Sequence, residues 1–366
     1  MSLSFIIIFT LFSLHLQSST PVTTTCEKLS PKIMTALEGL CSFTLKKTKQ
    51  GDVLKLSVPQ ARFGDSFTTK IREAVSEVKN KIYTNHGISF QTNESDFCFR
   101  GQRDASRALV SALERSQKRS QKHLCMPCIP YHRLKSEHDP VSQLIESHGY
   151  GIQTPLLDWT KNPDIALYFI LSKFKKRDFS APKKPTASLF ILDPYSLNNL
   201  YRISEKHGIK IGGLGLSQNL DAVIRAKSPF ARSLFHVSHD DYVKLAAENY
   251  GLMIHWSQAK ETIVFFDHFT EKYIEHDDIL DRLSGPIAVA PRWSTGQNRM
   301  AKLENIFTIK GIFPHKNSAS FFHDHILKID LDADCIKALH QSAINHSKTK
   351  KLWSMINKWE TARPKS

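Results

Sequence analysis

Apolar side chains recur along this chain with two periods. Helical spacing puts Ile71, Ala74, Val75, Val78 and Ile82 on one face, which predicts a helix from Ser66 to His86. Asp65 or Ser66 can cap its start and Gly87 its end. A second helix is expected over Ala105–Lys118, with Leu109, Ala112 and Leu113 inward. A third, capped by Asp139, passes through Leu144 and Ile145 to Ser147 and stops at Gly149. Asn162-Pro163 is a favourable cap and first-turn pair. It opens a helix with Ile165, Ala166, Phe169 and Ile170 on its apolar face. Two more helices are expected near the end, over Ala333–Ile344 and Lys348–Trp359.

Short apolar runs mark strands. Phe97-Cys98-Phe99 precedes Arg100, and 187–193 (ASLFILD) reads as a buried strand. So do 250–256 (YGLMIHW), 262–266 (TIVFF) and 286–290 (PIAVA), and ILKIDLD near the C-terminus alternates. Residues 20–65 are mixed and weakly periodic. Strands and helices are interspersed with no internal repeat. The expected class is α/β or α+β, a single mixed-sheet domain with surrounding helices. The expected division is an apolar N-terminal segment over 1–20, an extension over 21–65 and the domain proper over 66–360.

The apolar run Phe5–Leu16 is too short for a comfortable membrane-spanning helix, so no transmembrane span is expected. It resembles the core of a signal peptide, yet no Lys or Arg precedes Lys28. A cleaved leader, a buried element and a misassigned start all stay open. A leader implies export; without one the expected compartment is the cytoplasm. The 366 residues are 41% hydrophobic and 10% aromatic, which excludes disorder for the bulk of the chain. Six Cys are too few for a disulfide scaffold at this length. The net charge of +15 favours acidic partners and says nothing of fold. Positive charge gathers at 118–135, at 173–184 and in the C-terminal tail. These basic segments are candidate contacts for nucleic acid, and solvated loops carry such charge equally well.

Three segments can carry chemistry. The first is Phe99-Arg100-Gly101-Gln102: an Arg at a strand end can grip a phosphate or carboxylate bidentately, and Gly permits close backbone approach. The second runs from Tyr150 to Thr160 and then into the helix bearing Tyr168. Its trio Asp158-Trp159-Thr160 offers a carboxylate, an indole and a hydroxyl, which can line a pocket for a ring and a ribose. Equally, Thr160 or Asn162 can cap the helix while Trp159 packs in the core. The third runs from Arg299 to Thr308, where Glu304 is a candidate general base or ribose ligand.

In order and spacing, these segments resemble the FRG domain family, named for its Phe-Arg-Gly motif. Phe99-Arg100-Gly101-Gln102 is similar to the name motif, and Ala112-Leu113-Glu114-Arg115 to the segment that follows it. Tyr150–Thr160 resembles the family's Tyr-Gly-x-Pro-Thr-Arg-Leu-Leu-Asp-Trp-Thr block, the specific part. Asn162–Phe169 resembles its continuation and Arg299–Thr308 its late segment, so the resemblance spans about 66–360. The chain departs from the pattern at Gln153 and Pro155, where the family has Pro and Arg, and at Leu303-Glu304-Asn305. Arg103 or Arg107 are the candidates to replace the Arg missing at 155.

The resemblance carries no settled activity. The order Arg, Thr, Glu is itself similar to that of ADP-ribosyltransferases, in which such groups hold NAD and stabilise charge at an anomeric carbon. The candidate catalytic set is therefore Arg100, Asp158, Thr160 and Glu304. Gly101, Gln102, Tyr150, Trp159, Tyr168 and Arg299 are candidate ligand-binding residues, and NAD or another nucleotide is the candidate substrate. The competing expectation is a non-catalytic module that binds nucleic acid or another polyanion. Cys125, Cys128, His132 and His138 have zinc-ligand residue types, but the loop is shorter than the usual finger and no metal is expected. His323-Asp324-His325 with His315 is a weaker cluster.

Overall fold

The run at 187–193 forms a strand in which every residue from Ala187 to Leu192 is buried. This strand lies in the middle of a mixed sheet. The computed structural model describes residues 25–48, 51–59, 65–85, 97–115, 145, 147–149, 152–180, 184–197, 255–257, 262–267, 272–275, 287–289, 303–309 and 323–361. Its strands are β1 (Cys41–Thr48), β2 (Gly51–Pro59), β3 (Cys98–Gln102), β4 (Leu156–Thr160), β5 (Ala187–Leu192), β6 (His255–Ser257), β7 (Thr262–Asp267), β8 (Lys272–Glu275), β9 (Ile287–Val289), β10 (Asn305–Ile309) and β11 (Ile326–Leu331). The main helices are α1 (Thr25–Leu37), α2 (Asp65–Asn85), α3 (Pro163–Leu171), α4 (Pro194–Leu197), α5 (Ala333–Asn345) and α6 (Ser347–Thr361).

Eight strands form one sheet in the order β1-β2-β11-β5-β3-β4-β10-β9. Only β2 and β11 run parallel; the other pairings are antiparallel. β6, β7 and β8 form a separate antiparallel sheet. The expected mixed-sheet class therefore holds.

The register shows how the sheet is faced. On β11, Leu327, Ile329 and Leu331 are buried while Lys328 and Asp330 are only half-buried. One row joins Gly101, Leu189, Ile329 and Leu54 across four strands. This face takes α3: a Cβ placed on Gly101 would lie 2.0 Å from the Ala166 carbonyl oxygen. The adjacent row joins Arg100, Phe190, Lys328 and Val53 and belongs to the other face.

Local chemistry explains where the elements begin. Asn162 caps α3 by accepting from the Asp164 amide, and Pro163 opens the first turn. Asp332 caps α5 through the Cys335 amide. The helix expected over Ala105–Lys118 starts later, because residues 105–110 are not helical. Asp104 accepts from the amide and hydroxyl of Ser106, and its carbonyl accepts from the Arg107 amide. These bonds turn the backbone aside before a helix can form. The helical residues are 112–115, and their start is a capping box: Ser111 and Glu114 exchange side chain-to-amide bonds.

The weakly periodic N-terminal stretch is structured as well. α1 is tied to α2 by the Lys32–Glu77 ion pair, and β1–β2 joins the main sheet through β11. β1 and β2 thus belong to the same sheet as the strands of the expected domain. Several expectations fall outside the described residues. They include the apolar run at 5–16, most of the helix over 139–147, residues 118–135 and 250–254.

Among the described residues no helix is long and apolar enough to cross a membrane. Cys26, Cys41, Cys98 and Cys335 are buried thiols outside any disulfide. Burial pushes the Cys41 thiol up to about 11 and the Cys26 and Cys335 thiols up as well.

Candidate functional site

The ladder between β3 and β4 consists of a single pair, Phe99 with Thr160. Beyond it, β3 pairs only with β5. Arg100 spans the resulting split: its Nη1 donates to the Asp158 main-chain carbonyl at 2.6 Å. The same Nη1 lies 3.8 Å from Asp158 Oδ2. The Arg100 side chain is 18% exposed, and its Nε is buried with no hydrogen-bond partner among the described residues. Burial pushes the guanidinium pKa down, Asp158 works against that shift, and the nearby Arg115 adds to it by repulsion. Arg115 is itself exposed, and its Nη1 donates to the Val110 carbonyl at 2.6 Å. A half-buried guanidinium with an unpaired N–H and a like-charged neighbour is chemically suited to an anion.

Asp158 is held from its other side. His148 Nε2 lies 2.5 Å from Asp158 Oδ1, and His148 Nδ1 lies 2.6 Å from Thr154 Oγ1. The imidazole also packs edge-on against Phe307, the residue opposite Asp158 in the β4–β10 register. Thr154, His148, Asp158 and Arg100 form one chain of polar contacts. His148 was not expected in the site. Its only sequence signal is that it precedes Tyr150-Gly151, and nothing in one sequence says that it sits beside β4.

Thr160 and Glu304 meet at the end of β4. The Thr160 hydroxyl donates to the Leu303 carbonyl at 2.7 Å and accepts from the Asn162 amide at 3.1 Å. It thereby pins the turn before β10 to the start of α3. The Lys161 amide donates to the Glu304 carbonyl at 3.1 Å, which fixes the same turn. Glu304 has φ of +51°, a left-handed conformation uncommon for a residue other than glycine, and its side chain is exposed. The strands carrying Arg100 and Thr160 are sheet neighbours, as is β10, which Glu304 directly precedes, although the residues are far apart in sequence.

Other expected site residues serve the fold. Trp159 is 1% exposed and its Nε1 donates to Thr308 Oγ1 at 3.0 Å. Tyr168 is buried against Trp353, and its hydroxyl donates to Asn357 on α6. Gly101 makes room for α3, as described above. Gln102 Nε2 donates to the carbonyls of Asp104 and Arg107 and braces the following loop. Of the departures from the family pattern, Gln153 is exposed and Pro155 is buried. Tyr150 and Arg299 lie outside the described residues, as do Cys125, Cys128, His132 and His138. Among the described residues no group of His, Cys, Asp and Glu is placed to hold a metal ion.

The run from β3 through the split to α3 is the one whose residues carry the family resemblance. Residues 95–179 match the FRG domain family. The FRG segment therefore contains both sides of the split, the Asp158–His148 pair and the whole of α3. It ends before β5 and leaves out Glu304, so it is narrower than the resemblance read along the sequence. No curated protein and no solved structure matches the chain.

Proposed function

We propose that the FRG segment holds a phosphate of a nucleotide such as NAD on Arg100 and Arg115, and that the site cleaves or transfers at the ribosyl carbon. The observation that supports this reading is the β3–β4 split. Arg100 crosses it with an unpaired Nε, beside the Arg115 cation and one carboxylate held by His148. In the reaction, the bond between ribose C1′ and the nicotinamide nitrogen breaks. Its electron pair leaves with the ring nitrogen and neutralises it. Water or an acceptor hydroxyl forms the new C1′–O bond, and its proton passes to a carboxylate. Glu304 fills that role, and the same negative charge favours the oxocarbenium-like transition state. Thr160 acts by fixing the turn that carries Glu304.

Purified protein incubated with NAD is expected to release nicotinamide, measured by chromatography. Arg100→Ala is expected to abolish release. Glu304→Gly is the sharper variant: it removes the carboxylate and also relieves a left-handed backbone worth about 1 kcal/mol. It should lose turnover while unfolding at equal or higher denaturant. Wild-type protein that neither releases nicotinamide nor gains thermal stability with NAD would overturn the reading.

A further inference from the structure

The face of the main sheet opposite α3 carries a row in which cations alternate with buried apolar residues. Strand register fixes its order. Lys46 on β1 is opposite Val53 on β2, Val53 is opposite Lys328 on β11, Lys328 is opposite Phe190 on β5, and Phe190 is opposite Arg100 on β3. Paired residues point to the same side of a sheet. The three cations therefore recur at every second strand, about 10 Å apart at ordinary strand spacing. The next row reads Thr44, Lys55, Asp330, Ser188 and Gln102. Its single carboxylate, Asp330, is already engaged by Ser188 Oγ at 2.6 Å and by Lys328 Nζ at 3.0 Å.

The row is open at one end and roofed at the other. Lys46 and Lys55 are exposed. Lys328 Nζ donates to the Ala105 carbonyl at 2.9 Å and so seats the 103–107 loop on this face. That loop carries Arg103 and Arg107, both exposed. Arg107 is 69% exposed, and its ion pair with Asp104 contributes little in water. The face and the loop seated on it thus carry four exposed cations besides the two half-buried ones.

We propose that this face binds the phosphate backbone of single-stranded nucleic acid. Charge complementarity selects a polyanion, and the flanking neutral groups Ser42, Thr44 and Ser57 add hydrogen-bonding capacity rather than apolar contact. A membrane surface fits less well. Leu45, the exposed large apolar residue of β1, pairs with the buried Leu54 and belongs to the opposite face. Phe190, the aromatic in the row, is 3% exposed and cannot stack on a base. Binding is therefore governed by phosphate contacts and is indifferent to base sequence. This surface differs from the basic segments that charge counting picks out, and it does not depend on turnover of NAD.

The test is fluorescence anisotropy of the full chain with a labelled thymidylate strand of about 20 nucleotides, over about 50–200 mM salt. Four phosphate contacts predict a log–log salt slope of about −3, at roughly 0.7 per contact on a single strand. Lys46→Gln with Lys55→Gln should reduce the slope by about 1.4 and weaken binding about tenfold or more at low salt. Both residues are exposed, and near-ultraviolet circular dichroism checks that the pair of changes leaves the fold intact. Lys350→Gln with Lys351→Gln, on α6, should leave the slope unchanged. Three results would overturn the proposal. One is no binding at low salt. Another is a slope that moves with the α6 pair and not with the β1–β2 pair. The third is retention on phosphatidylserine vesicles that the oligonucleotide does not displace.

Discussion

Gly101 shows how a motif residue can serve packing before it serves chemistry. Its row on the sheet faces α3, and an added Cβ would sit 2.0 Å from the Ala166 oxygen and 2.8 Å from Ile170 Cγ1. The first contact is with backbone, so a rotamer change cannot relieve it. Gly101→Ala is expected to cost about 1–3 kcal/mol, read from the shift in urea midpoint. An unshifted midpoint would mean that α3 can move away freely. Thr160, Trp159 and Tyr168 follow the same logic, since each polar atom bonds within the protein. Arg100 differs from all of them: its Nε is buried and unpaired. Sequence places Arg100 at a strand end and Asp158 between a strand and a helix start; the structure puts both at the middle of their strands and in contact. His148 joins them only through its tertiary contact with Asp158.

Among the elements, α3 is the one whose start joins the site to the rest of the fold. Asn162 Oδ1 accepts from the Asp164 amide at 3.0 Å and from Arg72 Nη2 at 2.9 Å. Arg72 also reaches Asp164 Oδ2 at 2.7 Å. One side chain thus caps α3 and ties it to α2. Asn162→Ala should destabilise the protein by about 1–2 kcal/mol in equilibrium denaturation, and Asn162→Asp should recover most of it. A cost under a few tenths would show that water replaces the cap. This cap was legible in the sequence because Asn-Pro at a helix start is a local signal. The false start at 105 was not. Asp104 and Ser106 spend their side chains on a turn, and only Ser111–Glu114 supplies a cap with a matching partner.

For the molecule as a whole, stability depends on how burial shifts charge. His340 on α5 is half-buried, and burial pushes its pKa below the ordinary value. The folded state therefore binds this proton less tightly than the unfolded chain. Stability from this group is intact above the ordinary histidine range and is lost as pH falls through it. The urea midpoint should fall between about pH 7.5 and pH 5.5, and His340→Gln should flatten part of that fall. An identical pH profile for variant and wild type would remove His340 as the cause. The charge of +15 acts at this scale too. Composition cannot locate it, and register does: Lys46, Lys328 and Arg100 come from three distant segments and share one row.

The sequence alone determined the elements whose signals are local. These include the amphipathic face of α2, the buried run of β5, the caps of α3 and the mixed class that follows from interspersing them. It also marked the FRG segment, because the Leu-Leu-Asp-Trp-Thr block is contiguous. Only the tertiary structure decided what depends on pairing between distant strands. Residues 41–59 read as weakly periodic because β1 is an exposed edge strand that needs β2 and β11 to form. The split between β3 and β4, the closure of His148 onto Asp158 and the left-handed turn at Glu304 are likewise properties of neighbours. Side-chain period says which way a residue points within its own strand, and only register says what stands beside it.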